Sequence, residues 1–312
     1  MTLPRLLITL GDVAGIGPEI VAKAWPELAA YCQPLVIGDP AKLPADIPCH
    51  NPSSADLSRV PVGAVTAEAG RAAYDWLVYA IDECLANRAD GIVTCPLHKE
   101  GLHAANIHYP GHTEILADRT GTTSFAMLLY DDALPLAVAH VTLHRALSSV
   151  FEHITPETVL GKIRLLHDLL PKLTGQPARI GVAALNPHAS DGGLFGHEEA
   201  TIIAPAVAAA CREGISVHGP IASDAIFLPH NRARFDGVVA MYHDQGHIAM
   251  KLLGGRRAVN ISAGLPIVRT SVAHGTAYDI AGKGVADPSS LVSAVRVAAR
   301  LADARRKSLH PA

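Results

Sequence analysis

No stretch of this 312-residue chain is apolar for long enough to cross a bilayer. The longest apolar runs, residues 134–141 and 202–211, stop well short of the ~18 residues a spanning helix needs, so they are expected to be buried strands and core helices. No basic region with an apolar stretch and a cleavage site precedes the first strand-like run at residues 6–10, so secretion is not expected. No long block carries charge of one sign: 26 Lys and Arg stand against 29 Asp and Glu, net −3, which argues against an extended nucleic-acid surface. The five cysteines (Cys32, Cys49, Cys84, Cys95, Cys211) are odd in number and form no CxxC pair, as expected for reduced thiols in the cytoplasm. There is no internal repeat, no low-complexity segment and no GxGxxG after any strand-like run, so a nicotinamide cofactor would have to be held in a non-Rossmann manner.

What is present is alternation. Short apolar runs at residues 6–10, 35–38, 91–94, 125–130, 136–141, 180–185 and 238–242 alternate with helical patterns, predicting an α/β fold with a mostly parallel sheet. Pro18 suits the first turn of a helix through Val21, Ala24 and Leu28. Ala69, Ala73, Trp76, Leu77, Ala80, Ile81 and Cys84 share one face of a helix spanning about 66–86, and they read as core. Thr155-Pro156-Glu157 and Asp287-Pro288 start two later helices, whereas residues 39–61 show no period and are expected to be loop. The length suits about two domains.

Among 17 histidines, three are set apart by position: His144, His188 and His243 each follow a strand-like run. Ligands in open α/β sheets gather beyond the carboxyl ends of strands, and three imidazoles there can hold one metal with a position left open. The competing reading is three unrelated loop histidines. His188 lies in Asn186-Pro187-His188-Ala189-Ser190-Asp191-Gly192-Gly193, and His243 in Tyr242-His243-Asp244-Gln245-Gly246-His247. Asp244 can ligate the metal, act as an acid or base, or orient a histidine; the sequence leaves all three roles open. Gly111-His112-Thr113-Glu114 begins an apparent helix, whose start favours an anion or is simply a cap. Lys99 and Lys251 are possible further cations. Asn260 and Arg269 flank β-rich runs, and an arginine can grip a carboxylate or phosphate with two parallel bonds.

Taken together these segments resemble the 4-hydroxythreonine-4-phosphate dehydrogenase (PdxA) family, from Gly11 to Pro288. The opening Gly11-Asp12-Val13-Ala14-Gly15-Ile16-Gly17-Pro18-Glu19 also resembles the wider isocitrate and isopropylmalate dehydrogenase group, and residues 274–284 resemble that group's adenosine-binding loop. The resemblance implies two α/β lobes around a central cleft, 1–125 with 268–312 and 126–267, the second carrying the metal ligands and the interface of a homodimer with a shared active site. It implies His144, His188 and His243 as ligands of one divalent ion (zinc, magnesium, cobalt or manganese). His144 is preferred to His140 because Thr142-Leu143-His144 lies ten residues before Ile154-Thr155. It further implies His112, Thr113, Lys251, Asn260 and Arg269 on the phosphorylated substrate, Asp244 and Lys251 as catalytic groups, and His274, Gly275, Asp279 and Ile280 on NAD or NADP.

The expected activity is metal-dependent oxidation of 4-phosphooxy-L-threonine followed by decarboxylation, in pyridoxal phosphate biosynthesis. Related subfamilies act on D-threonate or D-erythronate phosphate, and one on an aromatic cis-dihydrodiol; the run His140-Val141-Thr142-Leu143-His144 is similar to those relatives. Val13, Cys95 and His247 depart from the usual family residues. A phosphotransacylase-like transferase would not require the three strand-end histidines, and a metal hydrolase would use them to activate water. Neither nucleic acid nor membrane is an expected partner.

Overall fold

Among the described residues there are eleven short strands: β1 (Arg5–Thr9), β2 (Gln33–Ile37), β3 (Cys49–His50), β4 (Gly91–Thr94), β5 (Ala126–Asp131), β6 (Leu136–His140), β7 (Ile180–Ala183), β8 (Val217–Ile221), β9 (Gly237–Ala240), β10 (Val259–Ala263) and β11 (Val268–Val272). The structure is a computed structural model and describes residues 2–309, without the side chains of Arg256 and Leu309. The chain forms two compact units. The first takes the residues up to Phe125 and those from Val259 onward; the second is Ala126–Ala258.

In the first unit the strands lie in the order β3-β2-β1-β4-β11-β10. All neighbours are parallel except β10 with β11, where Val259 faces Val272 and Ile261 faces Thr270. β1 and β4 are buried apart from Arg5, as expected of parallel strands covered on both faces. The helix Ala67–Leu85 buries the seven residues that share its predicted face, and Thr66 caps it by accepting from Ala69 N at 3.2 Å. Such a cap is worth about 1 kcal/mol. The last helix, Ser289–Leu309, begins just after Asp287-Pro288 and buries Leu291, Val295, Ala298 and Leu301.

The second unit orders its strands β5-β6-β9-β7-β8, parallel apart from the β5–β6 hairpin. Asp131 Oδ1 accepts from the backbone of Ala133 and Leu134 and so shapes that hairpin turn. The helix Pro156–Thr174 opens with a reciprocal Thr155–Thr158 capping box and ends at Gly175 with φ 71°. Two differences from the sequence reading stand out. The return to the first unit comes at Val259 rather than at 268, because β10 pairs with β11. Residues 39–61, expected as loop, hold the two-residue strand β3 beside β2 and a turn at Pro40–Lys42.

Candidate active site

The folding of the second unit brings two of the three predicted metal-binding histidines together. β6 and β9 run side by side, so the segments that follow them emerge at the same end of the sheet. A cavity of about 360 Å³ opens there, lined by His144, Arg145, His243 and Asp244 with Leu143 and Tyr242. The His144 and His243 rings are 5.9 Å apart. His243 is the first residue of the helix His243–Gly254, and its Nδ1 lies 2.7 Å from Asp244 Oδ1. A carboxylate only accepts, so Nδ1–H donates and Nε2 keeps its lone pair for a ligand. Of the three roles open to Asp244, orienting His243 is the one with a contact.

His140 occupies a different place from His144. It is 1% exposed, its Nε2 lies 3.2 Å from His247 Nδ1, and its ring is 6.4 Å from that of His243, behind the residues that line the cavity. His247 stacks on His243 with centroids 3.7 Å apart. Burial, reinforced by the neighbouring histidines, pushes His140 down to about 3 and His247 to about 4, so both are neutral at physiological pH. Gly246 makes this packing possible: a Cβ there would overlap His140 Nε2.

His188 stands apart from that pair. It is exposed beside Phe195, at 6.2 Å between rings, in the turn Pro187–Gly193. Residues 188–192 all have positive φ, between 45° and 71°. Among the described residues, no three or more His, Cys, Asp or Glu side chains are gathered so as to hold a metal ion. In kind the donors fit a divalent ion: two imidazoles on one cavity, one of them oriented by a carboxylate.

Of the predicted anion-binding residues of the first unit, His112 lies close enough to Arg269 on β11 to feel its charge. Its guanidinium is 3% exposed and donates to Thr94 Oγ1 at 2.7 Å and Ser262 Oγ at 3.1 Å, while Nε–H has no partner. Burial lowers Arg269 to about 9, with Glu114 pulling the other way, so it stays charged at neutral pH. Burial and the Arg269 charge hold His112 well below the ordinary histidine value. His112, Thr113 and Glu114 form the first turn of the helix His112–Thr120, and no side chain caps it. Asn260 donates to Val272 O at 3.3 Å and leaves its buried Oδ1 unpaired. Asn260 Oδ1 and Arg269 Nε–H thus each have hydrogen-bonding capacity that a polar ligand can use. Lys251 belongs to the second unit, exposed near the end of the helix His243–Gly254.

The loop 274–284 is fastened to the turn after β1 by contacts invisible in sequence. Ile16 N donates to Thr276 O at 3.0 Å, and Tyr278 O–H donates to buried Asp12 Oδ2 at 2.5 Å. His98 stacks on Tyr278 with centroids 4.9 Å apart. His274, Gly275 and Asp279 remain exposed and Ile280 is half-buried. The second unit holds further unpredicted groups. Glu199 is buried, and Gln245 donates to Ala184 O and Ser223 Oγ, each at 2.7 Å.

Two α/β units, one built from both ends of the chain, define a class of fold shared with isocitrate dehydrogenase of Methylococcus capsulatus: TM-score 0.52 at 16% identity over 98% of this chain and 88% of that one. The family is narrower. The model described as pyridoxal phosphate biosynthetic protein PdxA matches residues 28–298, and the chain belongs to the PdxA family. It is 44% identical to the 4-hydroxythreonine-4-phosphate dehydrogenase of Beijerinckia indica over 95% of this chain and 94% of that protein. It is also 44% identical to the D-threonate 4-phosphate dehydrogenase of Cupriavidus necator, over 97% and 98%. The solved 4-hydroxythreonine-4-phosphate dehydrogenase of Klebsiella pneumoniae superimposes with TM-score 0.84 at 37% identity, covering 96% of this chain and 99% of that one.

Proposed function

We propose that the protein is a divalent-metal- and NAD(P)-dependent dehydrogenase that oxidises 4-phosphooxy-L-threonine at its hydroxyl, with loss of carbon dioxide from the resulting β-keto acid, in pyridoxal phosphate biosynthesis. The observation that carries the reading is the cavity of the second unit lined by His144 and His243, with His243 held by Asp244, in a PdxA-family chain. His144, His188 and His243 hold the ion, and Asp244 orients His243. When bound, the ion supplies Lewis acidity for ionising the hydroxyl and for the decarboxylation that follows. Arg269, His112 and Thr113 take the phosphate: Arg269 offers a charge and the free Nε–H, and the first turn of the helix His112–Thr120 offers backbone N–H groups. Asn260 orients the rest of the substrate, and Lys251 with Asp244 carries protons. His274, Gly275, Asp279 and Ile280 receive the nicotinamide dinucleotide on a loop already docked against Asp12. Remote phosphate binding is thereby converted into orientation of the reacting carbon.

D-threonate 4-phosphate is the second reading, favoured by the Cupriavidus relative's equal identity. A homodimer fits the second unit, which exposes Leu147, Phe151, Leu194, Phe195, Ile248 and Leu252, with Leu252 82% exposed. A cytoplasmic setting fits five free thiols, and among the described residues no helix is long and apolar enough to span a membrane. The test is direct. Purified protein, a divalent ion and NAD or NADP are mixed with 4-phosphooxy-L-threonine or with D-threonate or D-erythronate 4-phosphate. Reduced nicotinamide formed fastest with 4-phosphooxy-L-threonine supports the first reading. Phosphate release without reduced nicotinamide overturns both.

A further inference from the structure

A single buried carboxylate bonds the chain on both sides of His188. Glu199 is 4% exposed. Its Oε1 accepts from Leu185 N at 2.8 Å and Asn186 N at 2.7 Å. Its Oε2 accepts from Asn186 Nδ2 at 2.9 Å and from Ser190 Oγ. Asn186 and Ser190 bracket His188, two residues on either side. The chain bears positive φ at His188, Ala189, Ser190 and Asp191, none of them glycine. L-residues disfavour this region, and a run of them persists only where surrounding contacts over-determine it. The contacts here are those of Glu199. Burial works to raise its pKa, but the bonds from Asn186 and Ser190 more than offset that and hold it below the usual carboxylate range.

The anchor is joined to the strand that leads to His243. Gln245 Nε2 donates to Ala184 O, at the end of β7, and Gln245 Oε1 accepts from Met241 N at 2.5 Å. Ser223 Oγ donates to the same Ala184 carbonyl at 2.7 Å. The backbone just before His188 and the backbone just before His243 are thus fixed to one another by side chains that touch neither imidazole.

We propose that Glu199 is a positioning residue for His188: through Leu185, Asn186 and Ser190 it sets the backbone from which that imidazole reaches the metal ion. The inference rests on the proposed function in taking His188 as a ligand. Glu199 itself binds neither ion nor substrate; its four accepted bonds are all spent on the turn.

Glu199→Gln tests this at constant volume. The amide places an N–H where the carboxylate accepted from Asn186 Nδ2, so that contact becomes donor against donor. Cobalt(II) is titrated into metal-free protein without substrate or nucleotide, and amide hydrogen exchange of residues 185–193 is followed in parallel. Asn186→Ala and Ser190→Ala, which each remove a single donor and leave the carboxylate buried, serve as second variants should Glu199→Gln fold poorly. The expected result is native circular dichroism, faster exchange confined to the turn, and cobalt affinity lowered about tenfold or more, with the single-donor variants intermediate. His188→Ala sets the floor. Wild-type cobalt affinity in Glu199→Gln and in Asn186→Ala would overturn the positioning role while leaving the proposed function standing. A wild-type protein that binds no cobalt would instead overturn the proposed metal site.

Discussion

Replacing Arg269 probes how strongly this protein depends on a phosphate. The guanidinium is buried, spends two of its nitrogens on Thr94 and Ser262, and keeps one N–H free. A phosphate bound there gains at least one charge-assisted hydrogen bond, worth about 1.5–3 kcal/mol. Arg269→Leu is therefore expected to weaken the phosphorylated substrate about tenfold to 150-fold. Arg269→Lys retains a charge without the fork and should fall between. The substitution to leucine also leaves the Thr94 and Ser262 hydroxyls without that donor, costing about 1–3 kcal/mol of stability, so binding must be measured well below the melting temperature. The assay is titration calorimetry with the phosphorylated hydroxy acid and, separately, with its dephosphorylated analogue. The loss should be confined to the phosphorylated ligand. An equal loss for both ligands, or none for either, refutes the assignment of Arg269 to the phosphate.

Three further outcomes are expected. Gly246→Ala forces a methyl against His140 Nε2 and Val138 and should destabilise the protein by about 1–3 kcal/mol, read as a lower urea midpoint. His140 and His247 are held neutral by burial, with folded values of about 3 and about 4, whereas in the unfolded chain they take up protons near about 6.5. Their contribution is therefore complete above that unfolded value and is lost as pH falls from it toward the folded values. Urea unfolding followed from neutral into acid solution should show the decline, and His140→Leu with His247→Leu should flatten it. Leu252→Glu places a charge on the most exposed apolar position of the second unit and should convert a dimer to monomers in light scattering.

Much of the fold is legible because buried parallel strands are continuous apolar runs: residues 91–94 form β4 with the predicted bounds, and the 3.6-residue period marks the buried face of Ala67–Leu85. β8 was missed because its residues are half-exposed and include His218, Gly219 and Pro220, a weak strand signal. The domain boundary slipped because β10 reads equally well with either unit until its antiparallel partner is known. At the candidate site, strand ends gave the positions of His144 and His243. The glycines of 186–193 point to a tight turn, but the left-handed run at His188 is not legible in sequence, because the Glu199 side chain that bonds Asn186 and Ser190 comes from outside the turn. Asp12 and Tyr278, joined by a hydrogen bond across 266 residues of chain, were likewise beyond any local pattern.

The proposed chemistry needs three imidazoles from separate strands to meet on one ion; His144 and His243 line one cavity, and His188 lies in a turn bonded to Glu199. The direct measurement is a crystal structure of the protein grown with cobalt or zinc, with the ion located by its anomalous scattering. One strong peak is expected within coordinating distance of His144, His188 and His243. A peak bound elsewhere, with the His188 ring still turned toward Phe195, would contradict the three-histidine site.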